Sequence, residues 1–340
     1  MNIPFEMTIL VVFMTALILT YVSTPFIIKR LKEKKFVSKD MNKEGEIYVA
    51  KFGGATVFLG FIIAILLPLQ LTDMNIIDEK ILIAAALTTS LIAFLGFVDD
   101  ILDIPDVYRV IFPIFTAIPL MLVMTNISSI TIPLLGTIEM NFGTLIFPII
   151  GTITLNLYAL ILIPIGIIAC SNLVNLLAGF NGLETGAGII ISIFLIALLF
   201  MSGLNSNRII AIYILVGLIG ALLSFIIFNW YPAKVFPGNI LTYLIGSIIA
   251  VVVILGGIEF YGAIVLGPQI IEFLLKALSK FKAENFGKCK NGKLSYEGKT
   301  YSLTHFLMKR FNPTELQLVI YLFGIQVLFG LISLVAQVII

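Results

Sequence analysis

The sequence is poor in charged residues and contains little cysteine, histidine or tryptophan. Only 12% of its 340 residues are Asp, Glu, Lys or Arg, whereas 60% are hydrophobic. Soluble domains are roughly half apolar and a quarter charged, so this balance excludes an ordinary soluble domain and indicates an integral membrane protein. The two cysteines, Cys170 and Cys289, have no paired spacing, so we interpret both as structural or incidental. No internal repeat or second domain is evident, and we treat residues 1–340 as one polytopic membrane domain.

Apolar runs recur at the length that a membrane-spanning helix requires, which is roughly 20 residues for a hydrocarbon core of about 30 Å. The segment 143–170 admits two interpretations, because Gly151 and the Thr152/Thr154 pair either divide it or belong to one long helix. The first run lacks a small-residue cleavage site and leads into a basic loop, so we expect it to remain as an anchor. The sequence therefore predicts an all-α bundle of about ten transmembrane helices, at residues 7–28, 53–69, 81–98, 110–124, 155–170, 187–201, 209–228, 240–255, 258–275 and 316–340.

The basic residues are distributed unevenly between the two faces of this bundle. Of the 21 Lys and Arg residues, all but Lys80 and Arg208 fall in 29–51, at Arg109, at Lys234 or in 276–310. In a ten-helix arrangement these loops share one face, which the positive-inside bias makes cytoplasmic. A basic face suits anionic lipid heads and phosphorylated substrates, although the same polarity is also explained by topology alone.

Two polar segments between the apolar runs predict small β-hairpins. On the outer side, "SSITIPLLGTIEMNFG" alternates around Gly136. On the inner side, residues 279–313 form the longest polar loop, and "KLSYEGKTYSL" within it predicts a hairpin that turns at Glu297 and Gly298.

Unusual polar side chains interrupt the apolar pattern at three places on the cytoplasmic side. They lie in "FLGFVDDILDI" after the third run, in "NLVNLLAGFNGLETG" after the fifth and in "NWYPAKVFPGN" after the seventh. Carboxylates and amides at membrane depth are costly unless they face a cavity or pair with a partner. These clusters are therefore candidate functional residues, with Asp99, Asp100, Asn172, Asn175, Asn181 and Glu184 as their most polar members.

Each cluster also has a purely structural interpretation. The aspartates after the third run could be solvated acids at a helix terminus, and Asn172 and Asn175 could cap the next helix. The glycines Gly179, Gly182 and Gly186 could be ordinary loop residues. The combination favours a site, because carboxylate and amide oxygens are the ligands that Mg²⁺ prefers, completed by waters and substrate phosphates. Lysines and arginines of the adjoining loops would contact further phosphate oxygens, which points to phosphoryl transfer.

The motifs resemble those of the polyprenyl-phosphate N-acetylhexosamine-1-phosphate transferases, more closely the eukaryotic and archaeal dolichyl-phosphate branch than the bacterial one. The resemblance rests on "SKDMNK", "FLGFVDDILDI", "NLVNLLAGFNGLETG" and "NWYPAKVFPGN", with a weaker "GPQIIEFLL", in family order over most of the chain. It implies a ten-helix fold and a reaction at the cytoplasmic membrane face. There, N-acetylglucosamine 1-phosphate passes from UDP-N-acetylglucosamine to dolichyl or another polyprenyl phosphate, and UMP is released.

The resemblance also implies roles for individual positions. Asp99 and Asp100 match the aspartate pair of the lipid-phosphate and metal site, and Asn175 matches an asparagine that ligates Mg²⁺. Phe236 matches the aromatic residue that stacks on uracil, and Arg109 matches a phosphate-contacting lysine. The expected catalytic residues are Asp99, Asp100, Arg109 and Asn175. The expected substrate-binding residues are Asn172, Asn181, Gly182, Glu184, Phe236, Lys280 and Lys282. The expected ligands of Mg²⁺ or Mn²⁺ are Asn175, Asp99, Asp100, Asp103 and Asn239.

This chain departs from the family pattern at three places. Asn239 replaces a metal-binding aspartate of the eukaryotic enzymes, whereas Asp103 stands where those enzymes have asparagine. If the helix continued past Asp100, Asp103 would share its face and could supply the missing carboxylate; the alternative is a solvated loop acid. The basic "HRxPR"-type motif is absent, and Lys280 and Lys282 in "SKFKAENFGK" would stand in for it without arginine's planar fork. His305 is the only histidine, so the paired arrangement of the bacterial branch is excluded and we expect an ordinary polar-loop residue.

Three alternatives stay open from the sequence. The donor could be another UDP-N-acetylhexosamine, the protein could be a transporter with acidic residues at one face, or it could be a family member that binds without catalysing. Against a transporter, such proteins usually have internal repeats or acidic residues in mid-helix, whereas the acids here cluster at one face. In favour of a member that binds without catalysing, Asn239 replaces a metal-binding aspartate. The expected location is a plasma membrane in a prokaryote or the endoplasmic reticulum in a eukaryote. A homodimer is one compatible assembly.

Overall fold

The computed structural model describes residues 3–125, 127, 129–132, 136–147 and 151–340. Among them, eight helical segments are long and apolar enough to cross a membrane. They are α1 (Phe5–Glu33), α2 (Gly54–Leu66) continued by α3 (Pro68–Leu71), α4 (Ile76–Leu102), a π-helical turn (Tyr158–Leu162) continued by α7 (Ile163–Leu176), α8 (Leu183–Met201), α9 (Ser206–Asn229), α10 (Asn239–Gly256) and α14 (Glu315–Ile339).

Two further apolar segments account for the difference between eight spans and the expected ten. The helices α5 (Asp106–Thr116) and α6 (Ile118–Val123) together form one short apolar stretch. The helices α11 (Glu259–Val265) and α12 (Gly267–Ala277) meet at an angle of 68°, so the span expected at 258–275 is broken rather than straight. Pro268 at the start of α12 has no N–H to continue the helix, and at the bend the Val265 carbonyl accepts a hydrogen bond from Gln326 Nε2 at 2.7 Å.

The helix α10 is the centre of the bundle. Nearly all of its residues are buried, and it packs against α2, α4, α7 and α9. In a membrane, helices associate through van der Waals packing and interhelical hydrogen bonds rather than through hydrophobic burial. A central helix with contacts on all sides fixes the positions of the C-terminal ends of α4 and α7 relative to its own first residue, Asn239.

Short antiparallel hairpins lie in the segments that connect the helices of the bundle. The hairpin predicted around Gly136 is confirmed, with β3 (Ser129–Ile132) paired to β4 (Gly136–Glu139). A second hairpin pairs β5 (Asn141–Phe147) with β6 (Gly151–Asn156), so the segment 143–170 is divided and its helix begins only after Asn156. A hairpin that the sequence did not predict pairs β1 (Val37–Lys39) with β2 (Tyr48–Ala50).

The hairpin predicted in "KLSYEGKTYSL", with its turn at Glu297 and Gly298, is wrong, because the hairpin of this loop lies earlier in the chain. The strands are β7 (Lys288–Lys290) and β8 (Lys293–Ser295), so the turn lies at Asn291 and Gly292. Both residues have positive φ, 51° and 70°, and Asn-Gly is the pair best suited to such a two-residue turn. The helix α13 (Leu303–Phe311) follows this hairpin and precedes α14.

Candidate active site

The carboxylate of Asp99 lies in the last turn of α4 and is held by four hydrogen bonds. Its Oδ1 accepts from the backbone N–H of Ile104 and from Arg109 Nε, both at 3.0 Å. Its Oδ2 accepts from Asn239 Nδ2 at 2.9 Å and from the hydroxyl of Tyr243 at 3.4 Å. Asp99 is therefore not a solvated acid at a helix end but a buried group that joins α4 to α10.

Asp100 contacts the N-terminus of α10. Its Oδ2 accepts a hydrogen bond from the backbone N–H of Ile240 at 3.2 Å. Two glycines permit this approach, because a Cβ on Gly96 would lie 2.5 Å from the Asn239 carbonyl oxygen and a Cβ on Gly238 would lie 2.5 Å from Asp100 Oδ2. Gly238 also has a φ of 74°, which side chains disfavour. The helix dipole makes this position favourable for a negative charge.

Asn175 reaches the same place from the last turn of α7. Its Oδ1 accepts a hydrogen bond from Thr242 Oγ1 at 2.9 Å, and the same hydroxyl lies 3.2 Å from the carbonyl oxygen of Asn239. The structure thus brings Asp99, Asp100, Asn175 and Asn239 together, from three helices that are far apart in sequence.

Beside this group lies a cavity of about 340 Å³. Its lining includes Phe236 to Asn239, Asn175, Thr242, Glu184, Phe286, and residues 38–41 and 178–180. The loop that carries Phe236 is fastened to the β2 region, because Phe236 N donates to the Ala50 carbonyl at 2.7 Å and the Phe236 carbonyl accepts from Gly53 N at 2.9 Å. The aromatic ring that we expected to stack on a base therefore stands at a fixed edge of the cavity.

Arg109 and Asp103 form an outer layer of the site. Arg109 bridges Asp99 and Asp103, at 3.0 Å from each carboxylate. The expectation that the helix continues to Asp103 is wrong: α4 ends at Leu102, and Asp103 is its C-cap with a left-handed φ of 49°. The Asp103 side chain is 98% exposed, so its position does not support a carboxylate shared with Asn239.

The α7–α8 loop contributes buried polar groups. Gly182 is the N-cap of α8 with a φ of 81°, and Glu184 Oε1 accepts from Gly179 N at 2.6 Å while lining the cavity. Asn181 is 3% exposed and lies next to Phe180 of the cavity wall. Asn172 Nδ2 donates to the carbonyl of Ile168 in its own helix at 2.8 Å, and Asn172 does not line this cavity.

Lys39 is the lysine in the cavity lining, whereas the two lysines that the sequence suggested do not line the cavity. Lys280 and Lys282 are exposed and lie outside the cavity lining. Lys276 is buried instead, and its Nζ donates to the Leu176 carbonyl at 2.8 Å and pairs with Glu272 at 3.7 Å. Asn285 Nδ2 also donates to the carbonyls of Leu176 and Ala178, at 2.8 and 2.7 Å. These two side chains satisfy the carbonyls at the C-terminus of α7, one residue from Asn175.

A second missed group lies between the N-terminal loop and the start of α14. Asn181 donates to Glu315 from its backbone N–H at 2.8 Å and from Nδ2 at 2.6 Å, and Nδ2 also donates to Asp40 at 3.1 Å. Lys43 forms an ion pair with Asp40 and lies 3.8 Å from Glu315. The stretch "SKDMNK" carried the signal for Asp40 and Lys43, whereas Glu315 had no signal beyond one acid at the start of an apolar run.

His305 is not a polar-loop residue, because it is fully buried on α13. Its ring stacks on Tyr296 with centroids 3.6 Å apart, and Nδ1 accepts from the Tyr301 N–H at 3.3 Å. Burial lowers the pKa of His305, so the neutral imidazole is favoured. We assign it a packing role.

The donor atoms beside the cavity fit a hard cation. Among the described residues, no three His, Cys, Asp or Glu side chains form a metal-binding group, so any cation here must use amide oxygens as well. Asn239 points its NH₂ group at Asp99, which leaves its Oδ1 on the other side of the amide. With Asp100 and Asn175 this makes an oxygen-only set, the kind that suits Mg²⁺ rather than zinc.

A larger apolar groove of about 550 Å³ lies along α7, α10 and the bent pair α11–α12. It is lined from Tyr158 to Leu173 on α7, and Leu173 is two residues from Asn175. Tyr158 donates a short hydrogen bond to Glu259 at its other end. The groove therefore follows α7, and its end at Leu173 lies roughly 3 Å along the helix axis from Asn175.

Comparison with known proteins identifies relatives over nearly the whole length. A sequence profile described as glycosyl transferase family 4 matches residues 82–257. Archaeal proteins from Saccharolobus solfataricus and Sulfolobus acidocaldarius, provisionally named UDP-N-acetylglucosamine–dolichyl-phosphate N-acetylglucosaminephosphotransferases, are 37% and 35% identical over 333 and 323 residues. These matches cover 97% and 94% of this chain and 97% and 93% of the relatives.

A eukaryotic relative from Dictyostelium discoideum bears the same enzyme name without the qualification. It is 27% identical over 348 residues, which cover 91% of this chain and 83% of the relative. The matched profile includes Asp99, Asp100, Asn175 and Asn239, whereas Asp40 and Glu315 lie outside it.

Proposed function

Because this chain belongs to glycosyl transferase family 4, we propose that it transfers N-acetylglucosamine 1-phosphate from UDP-N-acetylglucosamine to a dolichyl-type polyprenyl phosphate and releases UMP. The names of the archaeal and Dictyostelium relatives support both substrates. Such a reaction is the first membrane step of lipid-linked oligosaccharide synthesis for N-glycosylation.

One observation carries this proposal: Asp99, Asp100, Asn175 and Asn239 converge beside a polar cavity, and an apolar groove lies along α7, the helix that carries Asn175. A sugar nucleotide is polar and compact, whereas a polyprenyl chain is apolar and long, so the reaction needs two binding regions of opposite character that meet at one point. We place the nucleotide in the cavity with its base against Phe236, since aromatic faces bind bases by stacking. We place the lipid chain in the groove, with its phosphate near Asn175.

We further propose that Mg²⁺, or Mn²⁺ in its place, is bound by Asp100, Asn175 and Asn239, with Asp99 close by. When bound, the cation would supply charge neutralisation for the diphosphate and the departing UMP. The Thr242 hydroxyl orients the Asn175 amide, and Arg109 and Tyr243 hold Asp99, so the side chains are arranged before the substrates arrive.

In the reaction, an oxygen of the lipid phosphate attacks the β-phosphorus of the UDP-sugar. A new phosphorus–oxygen bond forms as the bond from the β-phosphorus to the bridging oxygen breaks, and that electron pair leaves with UMP. The lipid phosphate is largely dianionic at pH 7, because its second pKa is about 6, so no general base is required. The roles left to the protein are positioning and electrostatic stabilisation.

We place the site on the cytoplasmic side, because Lys and Arg residues crowd the loops at that end of the bundle. The same argument gives a plasma membrane in a prokaryote or the endoplasmic reticulum in a eukaryote. The transporter alternative is not favoured by the relatives, and no family member named above is a transporter.

The test is to incubate the purified protein with polyprenyl phosphate, Mg²⁺ and each of several UDP-N-acetylhexosamines. The lipid product is identified by mass and UMP is quantified. We expect a pyrophosphate-linked N-acetylglucosamine lipid and an equal amount of UMP. An Asp100→Asn variant should lose turnover, whereas Glu297→Gln, at an exposed residue of the last cytoplasmic loop, should not. Absence of both products, with the protein folded, would contradict the proposed activity and favour a binding role.

A further inference from the structure

The helix α7 ends directly after Asn175, and its end is not closed by its own backbone. Leu176 is the last helical residue, and the C-cap Leu177 leaves the helical conformation with a ψ of 69°. Among the described helices, α4, α8, α9 and α10 each have a C-cap whose N–H donates to a carbonyl of the last turn, whereas α7 has no such bond. Helix ends fray when their last carbonyls lack donors, so the turn that carries Asn175 needs support from elsewhere.

Side chains from α12 and the loop after it supply that support. The amide of Asn285 donates to carbonyls on both sides of the C-cap, to Leu176 at 2.8 Å and to Ala178 at 2.7 Å. Lys276 Nζ donates to the Leu176 carbonyl as well, at 2.8 Å. A primary amide has two donor hydrogens, so Asn285 holds the chain both before and after Leu177.

Asn285 is itself held by the start of α13. Its Oδ1 accepts from Ser302 Oγ at 3.3 Å, and its carbonyl accepts from Thr304 Oγ1 at 2.7 Å. All three residues are buried, with Asn285 at 6% exposed. A further bond ties α12 to the same place, because Glu272 Oε2 accepts from the Leu303 N–H at 2.8 Å. The end of α7 is therefore connected to α12 and α13 through buried hydrogen bonds.

We propose that Asn285 is a positioning residue for Asn175 and that, together with Lys276, it sets the affinity of the site for a divalent cation. This inference rests on the proposed function, because it takes Asn175 as a ligand of Mg²⁺ or Mn²⁺. Thr242 of α10 orients the Asn175 side chain, whereas Asn285 fixes the turn of backbone that carries it. A ligand that is ordered before the ion arrives binds more tightly than one that must first be ordered.

This role differs from the one that the resemblance implied for the same region. In "SKFKAENFGK" we expected Lys280 and Lys282 to contact the diphosphate, but both lie outside the cavity lining. Asn285 donates to the carbonyls of α7 instead, and its neighbour Phe286 lines the cavity. The region lies beyond the matched profile, which ends at residue 257. It contributes to the site by holding a ligand rather than through these two lysines.

The experiment measures Mn²⁺ binding to the purified protein, without nucleotide, from the electron paramagnetic resonance signal of the free ion. Asn285→Ala removes both donors, and we expect the Mn²⁺ affinity to fall about tenfold, as is typical when a partner that supports a metal ligand is lost. Asn291→Gly is the matched control, because it deletes the same amide at an exposed hairpin turn whose φ of 51° suits glycine. It should leave the affinity unchanged. Lys276 is less suitable for this test, since its replacement also leaves Glu272 without a cation.

The Mg²⁺ dependence of turnover separates a loss of cation affinity from general damage. In Asn285→Ala, the Mg²⁺ concentration that gives half of the maximal rate of UMP release should rise about tenfold. Saturating Mg²⁺ should restore most of the rate, because the other ligands are intact. A variant that was only destabilised would retain the wild-type Mg²⁺ dependence in its folded fraction, and that result would contradict the positioning role.

Coupling to Asn175 identifies the group through which Asn285 acts. In an Asn175→Ala background, Asn285→Ala should have no further effect on the Mn²⁺ affinity, whereas an equal loss in both backgrounds would overturn the inference. Thr304→Val is the second variant, since it preserves shape and removes the donor to the Asn285 carbonyl. It should lower the Mn²⁺ affinity by about threefold, and its measurement decides the question if Asn285→Ala does not fold.

The outcomes that overturn the inference differ from those that overturn the proposed function. An unchanged Mn²⁺ affinity in Asn285→Ala and Thr304→Val, with Mn²⁺ bound by the wild type, would contradict the positioning role alone. Wild-type protein that binds no Mn²⁺ would contradict the proposed cation site and, with it, this inference. Wild-type protein that binds Mn²⁺ in an Asn285-dependent manner but forms no lipid product would contradict the proposed transfer reaction and support the positioning role.

Discussion

The amide of Asn239 donates a hydrogen bond to the carboxylate of Asp99 across 2.9 Å, from the first residue of α10 to the last turn of α4. The eukaryotic pattern has aspartate at the position of Asn239. An aspartate there would put two carboxylates in contact, which is unfavourable unless a cation or a proton lies between them. The amide instead gives Asp99 a neutral hydrogen-bond donor, and its Oδ1 is left as an oxygen ligand for a cation.

This contact predicts the outcome of exchanging the two residues. Asn239→Asp should lower the midpoint of thermal unfolding in chelator, because of repulsion by Asp99, and Mg²⁺ should restore it by lying between the acids. Asp103→Asn should change the Mg²⁺ requirement little, because its carboxylate is exposed and contacts Arg109 instead. The double variant should show the sum of the two effects. A strong departure from additivity would revive the idea of a carboxylate shared between Asp103 and Asn239.

Removal of the aromatic ring at the edge of the cavity should weaken nucleotide binding. Phe236→Ala should reduce the affinity for UDP-N-acetylglucosamine and UMP alike, by about 1 to 3 kcal/mol, because stacking on the base is common to both. Titration calorimetry with UMP measures the loss. Phe306→Ala, at an exposed phenylalanine of α13, is the control. Equal UMP affinity in the Phe236 variant and wild type would remove this residue from the site.

The hydroxyl of Thr242 should matter for rate more than for folding. Thr242→Val preserves shape but removes the donor to Asn175 Oδ1, so the amide can rotate, and we expect kcat to fall about tenfold with little change in the KM for UDP-N-acetylglucosamine. Asn175→Ala should cost several orders of magnitude in kcat. Steady-state kinetics on both variants, together with their unfolding midpoints, provides the check. A Thr242 variant with wild-type kcat would indicate that Asn175 needs no orienting partner.

Divalent cations should differ in their ability to support turnover. We expect activity with Mg²⁺ or Mn²⁺, little with Ca²⁺ and none in excess chelator, because Ca²⁺ prefers longer bonds and a larger shell than a compact set of carboxylate and amide oxygens provides. Release of UMP at matched free concentrations of each ion is the measurement. Full turnover in chelator would remove the cation from the mechanism.

The buried pair of Lys276 and Glu272 should be important for stability. Lys276→Met would leave the Glu272 carboxylate without its cation and the Leu176 carbonyl without a donor, and we expect a loss of about 3 to 5 kcal/mol. Lys280→Met, at an exposed lysine one turn further on, should change stability by no more than about 0.5 kcal/mol. Thermal or denaturant unfolding in detergent compares the two. Equal stability of both variants would contradict a structural role for the buried lysine.

Hydropathy predicted the membrane class and most of the spans, because a run of about 20 apolar residues has few alternatives to a membrane helix. It did not predict the bend at Leu266 or the strands in 141–156. Short apolar stretches form helix or strand according to their tertiary neighbours, such as Gln326 beside the Val265 carbonyl. The turn predicted at Glu297 could have been placed correctly from the sequence, because Asn291-Gly292 is the stronger signal for a two-residue hairpin turn.

By itself, the sequence determined the type of site and its position at one end of the bundle, because polar residues within apolar runs are costly and few. Asp99, Asp100, Asn175 and Phe236 could be chosen for that reason and by resemblance. Only the tertiary structure decided which atoms meet. Asp103 turns outward because α4 ends one residue earlier, Lys280 and Lys282 lie outside the cavity while Lys276 is buried, and Glu315 joins Asp40 at Asn181. The contacts of Asn181 with Asp40 and Glu315 join residues 141 and 134 positions apart. Their geometry depends on how whole helices pack, which no local sequence pattern records.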